Sequence, residues 1–196
     1  MRWDRLFEDL EDQLASEWEA ERAALDTEAE RLRISRMTLR ERLTGMSADG
    51  SEPSLDLVDG SVVSGAVTAV GEDWTGLRVS GDRVAVVPLA AIGVVALPHA
   101  DLLRSARPQA APRRTLAERM SLGFVLRDLA RRRLPVSVHL RGGRVLAGTV
   151  DRAGADHLDL ALHDPGAPRR PADVAGHRLV PFGAVAWIRL DARADV

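Results

Sequence analysis

The strongest constraint on this chain is a pattern that it writes twice. Leu57 is followed by Asp59-Gly60, Val62, Gly65, Val67, Gly71, Asp73 and Leu77. Leu140, Gly142-Gly143, Val145, Gly148, Val150, Gly154, Asp156 and Leu160 stand at the same spacings, 83 positions later. Each copy closes on a matching phrase, Val87-Pro88-Leu89-Ala90-Ala91-Ile92 and Val180-Pro181-Phe182-Gly183-Ala184-Val185. The offset there is 93, so the second copy carries a ten-residue insertion within 164–176. An internal repeat of this length predicts two like structural units, over 54–98 and 135–191.

Within the first copy, Leu55 and Leu57 alternate with polar neighbours as a half-buried strand requires. Asp59-Gly60 is a tight-turn dipeptide that sends the chain back as a strand from Ser61 to Val70. Gly65 in its middle permits a sharp bend. Gly71-Glu72-Asp73 and Gly81-Asp82 are further turns, framing strands Trp74–Ser80 and Arg83–Val87. Pro88 cannot donate to a ladder, so Pro88 to Ala91 predicts one helical turn before a last strand, Ile92–Leu97. Five short strands at regular spacing predict a small barrel for each copy.

These residues resemble the Sm-like family of small β-barrels, to which Hfq belongs, and the likeness covers both copies. The family's Leu-x-x-Gly with a second Gly five positions on is matched by Leu57, Gly60 and Gly65, and by Leu140, Gly143 and Gly148. Its Ala-Ile at the start of the last strand is matched by Ala91-Ile92 and Ala184-Val185. The resemblance implies an α+β chain with tandem five-stranded Sm-like barrels, each preceded by a helix, and a tendency to join edge to edge through the last two strands. The RNA-contact positions do not follow. The Asn of typical Sm motifs falls at Gly76 and Asp159, and the Tyr-Lys-His of Hfq at Pro88-Leu89-Ala90 and Pro181-Phe182-Gly183.

Residues 1–46 predict one long amphipathic helix, since no Pro or Gly interrupts Trp3 to Leu43 and Ala, Leu, Glu and Arg dominate. Trp18, Leu25, Leu32 and Leu39 recur every seven residues, an incomplete coiled-coil stripe and the expected oligomer contact. Acids crowd residues 1–30, and Arg31, Arg33, Arg36, Arg40 and Arg42 follow them, which suits the helix dipole and would match acid to base in an antiparallel pair. Residues 99–114 read as an exposed linker. Thr115-Leu116-Ala117-Glu118 has capping-box spacing and opens an expected helix over 115–134, with Leu116, Met120 and Phe124 on one stripe, widened by Leu122, Val125, Leu126 and Leu129.

Nine Arg between Arg104 and Arg133 face only Glu118 and Asp128. Arg113, Arg114, Arg127, Arg131, Arg132 and Arg133 are therefore the candidates for gripping phosphates or an acidic partner. Phe124 is the one aromatic residue within that segment, too few to stack successive bases, which places contact with an acidic protein surface ahead of nucleic acid. All 27 basic residues are Arg and the net charge is −2, so only this local field argues for nucleic acid. Without Cys there is no disulfide or thiolate chemistry. The five His (99, 139, 157, 163, 177) read as strand-surface residues, although His157 and His163 share a strand face and Asp159 is near. Trp74 aligns with His157, so one unit presents an aromatic side chain where the other does not. No apolar run suits a signal peptide or a membrane span, which makes the cytoplasm the expected compartment. The function expected is a non-enzymatic, oligomeric scaffold or adaptor with a protein partner and no cofactor, metal or membrane; the alternative is an RNA- or DNA-binding regulator using the Arg104–Arg133 segment.

Overall fold

A computed structural model describes residues 2–81, 83–108, 116–165 and 169–190, with side chains described from Ser16 on apart from Glu17, Ala20 and Ala117. The chain divides into two compact units, Met1–Thr38 and Leu39–Val196. The first is helix α1, Arg2–Arg36. Its exposed surface carries i,i+3 ion pairs, Glu28 with Arg31 and Glu30 with Arg33, the latter at 2.6 Å. The Arg33 guanidinium holds the Glu30 carboxyl below the usual carboxylate range. The helix does not run on to residue 46. It stops at Arg36, and helix α2 spans Leu39–Asp49. Thr38-Leu39-Arg40-Glu41 has capping-box spacing, a start signal for a new helix.

The second unit continues with strands β1 (Ser54–Leu57), β2 (Val62–Ser64), β3 (Ala66–Val70), β4 (Trp74–Val79), β5 (Arg83–Pro88) and β6 (Ile92–Ala96), a 3-10 turn at Leu89–Ala91 preceding the last. Helix α3 (His99–Arg104) occupies what the sequence presents as linker, and helix α4 spans Leu122–Arg132. Strands β7 (Pro135–Leu140), β8 (Val145–Ala153), β9 (His157–Leu162), β10 (Gly176–Pro181) and β11 (Val185–Leu190) complete it.

Two separate closed barrels are not what these strands build. Among the described residues they form two open antiparallel sheets, β2-β1-β6 and β10-β9-β8-β7-β11-β5-β4-β3. A strand has two hydrogen-bonding edges. Closing each set would require its fourth strand to pair with its fifth; β11 instead takes β7 on one edge and β5 on the other, which joins β3, β4 and β5 of the first half to the strands of the second in the eight-stranded sheet. The expected strand Ser61–Val70 is likewise split at Gly65, with β2 pairing β1 in the small sheet and β3 pairing β4 in the large one.

Local structure nevertheless recurs at the sequence offsets. Leu57 N–H donates to Ser61 O (2.9 Å) and Leu140 N–H to Arg144 O (2.8 Å). Val58 N–H donates to Ala91 O (3.0 Å) and Arg141 N–H to Ala184 O (2.9 Å). Leu89 N–H donates to Asp73 O (2.9 Å) and Phe182 N–H to Asp156 O (2.7 Å).

Helix α4 begins after Ser121 and ends at left-handed Arg133, φ 54°. It buries Leu122, Val125, Leu126 and Leu129, each contributing about 1.5–3 kcal/mol. The other expected stripe fails: Leu116 is exposed and precedes the helix, which starts at Leu122, and Phe124 lies on α4 but is half-exposed, off the face that Leu122, Val125, Leu126 and Leu129 bury. The proposed capping Thr115 lies outside the described residues.

Gly65 and Gly148 are required by close approach. A Cβ at Gly65 would lie 2.1 Å from Arg78 O, and one at Gly148 1.9 Å from Ala161 O, backbone atoms that cannot rotate away. Either Gly65→Ala or Gly148→Ala is expected to destabilise the fold by about 3 kcal/mol or more, read as a fall in the urea midpoint; a midpoint unchanged from wild type refutes this packing.

Candidate interaction surfaces

The seam where β5 meets β11 shows what kind of surface this chain makes. Ile188 lies opposite Val86, Arg189 opposite Ala85 and Leu190 opposite Val84. Each half inserts a tryptophan into the other's core. Trp74 packs with Leu122, Leu126, Leu129, Ile188 and Leu190, and Trp187 packs against Leu55, Leu57, Val63 and Leu77. The turn before β4 reaches the start of α4: Leu122 N–H donates to Asp73 Oδ1 (2.7 Å), and Glu72 N–H and Trp74 Nε1–H donate to Met120 O (3.0 and 2.9 Å). Asp73 thus places an anion at the positive end of a helix. Arg141 adds a hydrogen bond to Ala90 O (2.9 Å).

The counterparts of both seam edges are open. By the 93-residue offset β10 corresponds to β5, and β6 to β11. Among the described residues β10 pairs only with β9, and β6 only with β1. Leu179, at the position of Val86, is 68% exposed where Val86 is 1% exposed. Val94, at the position of Trp187, is 55% exposed. Beside β6 lies a groove of about 230 Å³ lined by Leu39, Arg42, Met46, Val95, Leu97 and Leu102. Asp156, at the position of Asp73, is exposed, and His157, at the position of Trp74, is half-buried with its ring over Gly154 and Nδ1 2.8 Å from Asp156 Oδ1. That contact holds the Asp156 carboxyl below the usual carboxylate range.

The sequence-derived candidates are distributed differently. Arg113 and Arg114 lie outside the described residues. Arg131 and Arg132 both bridge to Asp128, Arg132 at 2.7 Å, and Arg127 donates to Gly154 O (3.1 Å). Arg133 is exposed at the C-terminus of α4. Two arginines outside the candidate set are structural: Arg40 donates to Gly71 O and Glu118 O (2.6 and 2.8 Å), and Arg42 to Leu102 O and Ser105 Oγ (2.6 and 2.7 Å). Trp18, Leu25 and Leu32 are exposed on α1, whereas Leu39 belongs to α2 and borders the groove. His157 and His163 do not act together, since His163 is buried against Thr149 Oγ1 (2.8 Å) and Asp164 O (3.0 Å). Among the described residues no group of three or more His, Asp or Glu is placed to hold a metal ion. No described helix is long and apolar enough to cross a membrane.

No family model, curated protein or solved structure matches the chain.

Sequence reasoning passed over Asp73, Asp156, Leu179 and Val94. The signal was present: the repeat extends upstream, Met37-Thr38-Leu39 matching Met120-Ser121-Leu122 at the same offset of 83, which ties the start of α2 to the start of α4. Asp73→Ala is expected to lower stability by about 1 kcal/mol through loss of the α4 cap, whereas Asp156→Ala in dilute protein is expected to leave the urea midpoint unchanged. Equal effects of the two substitutions on that midpoint contradict this assignment.

Proposed function

We propose that the chain is a non-enzymatic adaptor that assembles head to tail with other molecules of itself through the β10 and β6 edges. One observation carries the reading: Leu179 stands exposed on an open strand at the position where Val86 is buried by a paired one. Unsatisfied strand edges invite a further strand, and natural proteins either block them or use them. Transferring the internal register of Ile188 opposite Val86 sets Val95 of one molecule opposite Leu179 of the next, and Ala96 opposite Arg178. The surfaces are unlike, so the contact is heterologous and propagates into a ring or a filament. The resemblance to the Sm-like family supports the same edge-to-edge habit.

Helix α1 supplies a second surface. Trp18, Leu25 and Leu32 form an exposed apolar stripe at seven-residue spacing, suited to pairing with a helix of another protein or another molecule of this one. The nucleic-acid alternative has less behind it, because Arg104, Arg127, Arg131 and Arg132 of the basic segment are already engaged with Asp101, the Gly154 carbonyl and Asp128.

The absence of Cys makes the register directly testable. Val95→Cys combined with Leu179→Cys is expected to give intermolecular disulfides under mild oxidation, read on a non-reducing gel. Val94→Cys with Leu179→Cys is expected to give few, since neighbouring residues point to opposite faces of a strand. Equal yields from the two pairs, or none from either, sink the proposal. Replacing Leu25 and Leu32 together by Glu is expected to leave the in-register disulfide intact while lowering the assembly mass measured by light scattering.

A further inference from the structure

The internal seam contains more than paired strands. The turn at Glu72-Asp73-Trp74 from the first half grips the first residue of α4 in the second, with Asp73 Oδ1 2.7 Å from Leu122 N and Trp74 Nε1 2.9 Å from Met120 O. The corresponding turn, Ala155-Asp156-His157, grips nothing of the kind: the Asp156 side chain is 89% exposed. The residue corresponding to Leu122 is Leu39, the first of α2, and it lies at the mouth of the groove formed by α2 and β6. That groove is bounded by Met46, Val95 and Leu97, which correspond by the two offsets to Leu129, Ile188 and Leu190, members of the same buried cluster as Trp74.

We propose that Asp156 and His157 form a helix cap acting between molecules, in which the Asp156 carboxylate accepts a hydrogen bond from Leu39 N–H of a second chain while His157 enters the groove between α2 and β6. This rests on the head-to-tail reading above, and it names the contact that orients the junction. Charge favours it. The Asp156 carboxyl, held below the usual carboxylate range by the hydrogen bond with His157, is exposed, and the first turn of α2 offers the positive end of the helix dipole. The geometry is one the chain already makes once, at Asp73 and Leu122.

The test uses the full chain carrying Val95→Cys and Leu179→Cys in a glutathione redox buffer, and reads the protein concentration at which half is cross-linked. Adding Asp156→Ala is expected to raise that concentration about fivefold, the effect of losing one helix cap. Adding His157→Trp instead, which restores the residue of the internal seam, is expected to lower it. Hydrogen exchange supplies an atom-level readout: the Leu39 amide is expected to slow on assembly of the wild-type chain, and not in the Asp156→Ala chain. If the in-register disulfide forms but Asp156→Ala moves neither the half-point nor the Leu39 exchange rate, the cap is refuted while edge pairing stands. If the in-register disulfide never forms, edge pairing fails and the cap fails with it.

Discussion

Everything in the larger unit depends on β11 having two partners. One edge of β11 continues the sheet of its own half through β7, and the other accepts β5 from the first half. The backbone ladder alone is short, three residue pairs. The exchanged tryptophans give it weight: a buried indole such as Trp74 removes about 150–250 Å² from water, worth about 4–6 kcal/mol as an upper limit at ~25 cal/mol per Å², and the partly buried Trp187 adds less. Trp74 lies in a core otherwise built by α4 and strands β7 to β11, with Val84, Val86 and Ala69 beside it. Separating the halves would therefore open both cores at once, and the eight-stranded sheet exists because that separation is so unfavourable.

Joining the halves through β5 and β11 leaves ends. One end, β3, is covered by α2, whose Leu43 and Met46 pack on Val67 and Val70. The other, β10, pairs on one side only among the described residues and carries His177, Arg178 and Leu179 in succession. A charged residue beside an exposed leucine discourages indiscriminate strand addition while permitting a partner whose pattern matches. Edge β6 has the complementary make-up, Gly93-Val94-Val95-Ala96, with no charge of its own. The two edges are thus unlike each other, and on the proposed reading that asymmetry favours head-to-tail contact over symmetric dimerisation.

The strands were legible because their signals are local. Asp59-Gly60 turns the chain and Gly65 marks the bend, and both features recur 83 residues on. Strand partners were not legible: alternation fixes which residues face inward but says nothing about which edge meets which, so two open sheets and two closed barrels predict the same pattern. The break after Arg36 escaped notice because neither Pro nor Gly marks it; the marker is Thr38 with Glu41, a capping pair hidden in a helix-rich run. The charge of the arginine tract is visible in sequence, but its pairing is not: Arg131 and Arg132 share the single carboxylate of Asp128 at i,i+3 and i,i+4, a contact that helical spacing permits once α4 is placed.

On the proposed reading, the differences between the internal seam and its open counterpart set how tightly molecules join. Trp74 is answered by His157 and Trp187 by Val94, so each exchanged indole is replaced by a smaller or more polar side chain. Val86 is answered by the larger Leu179, which returns part of the lost apolar area. An interface with this composition is weaker than the seam inside the chain. The seam also has the advantage of covalent connection, which removes the translational cost that separate molecules must meet. The same geometry used twice therefore yields two different behaviours: a junction that holds the larger unit together at any dilution, and one that forms and parts with concentration. For an adaptor that second property is the useful one, because assembly can then respond to how much of the chain is present.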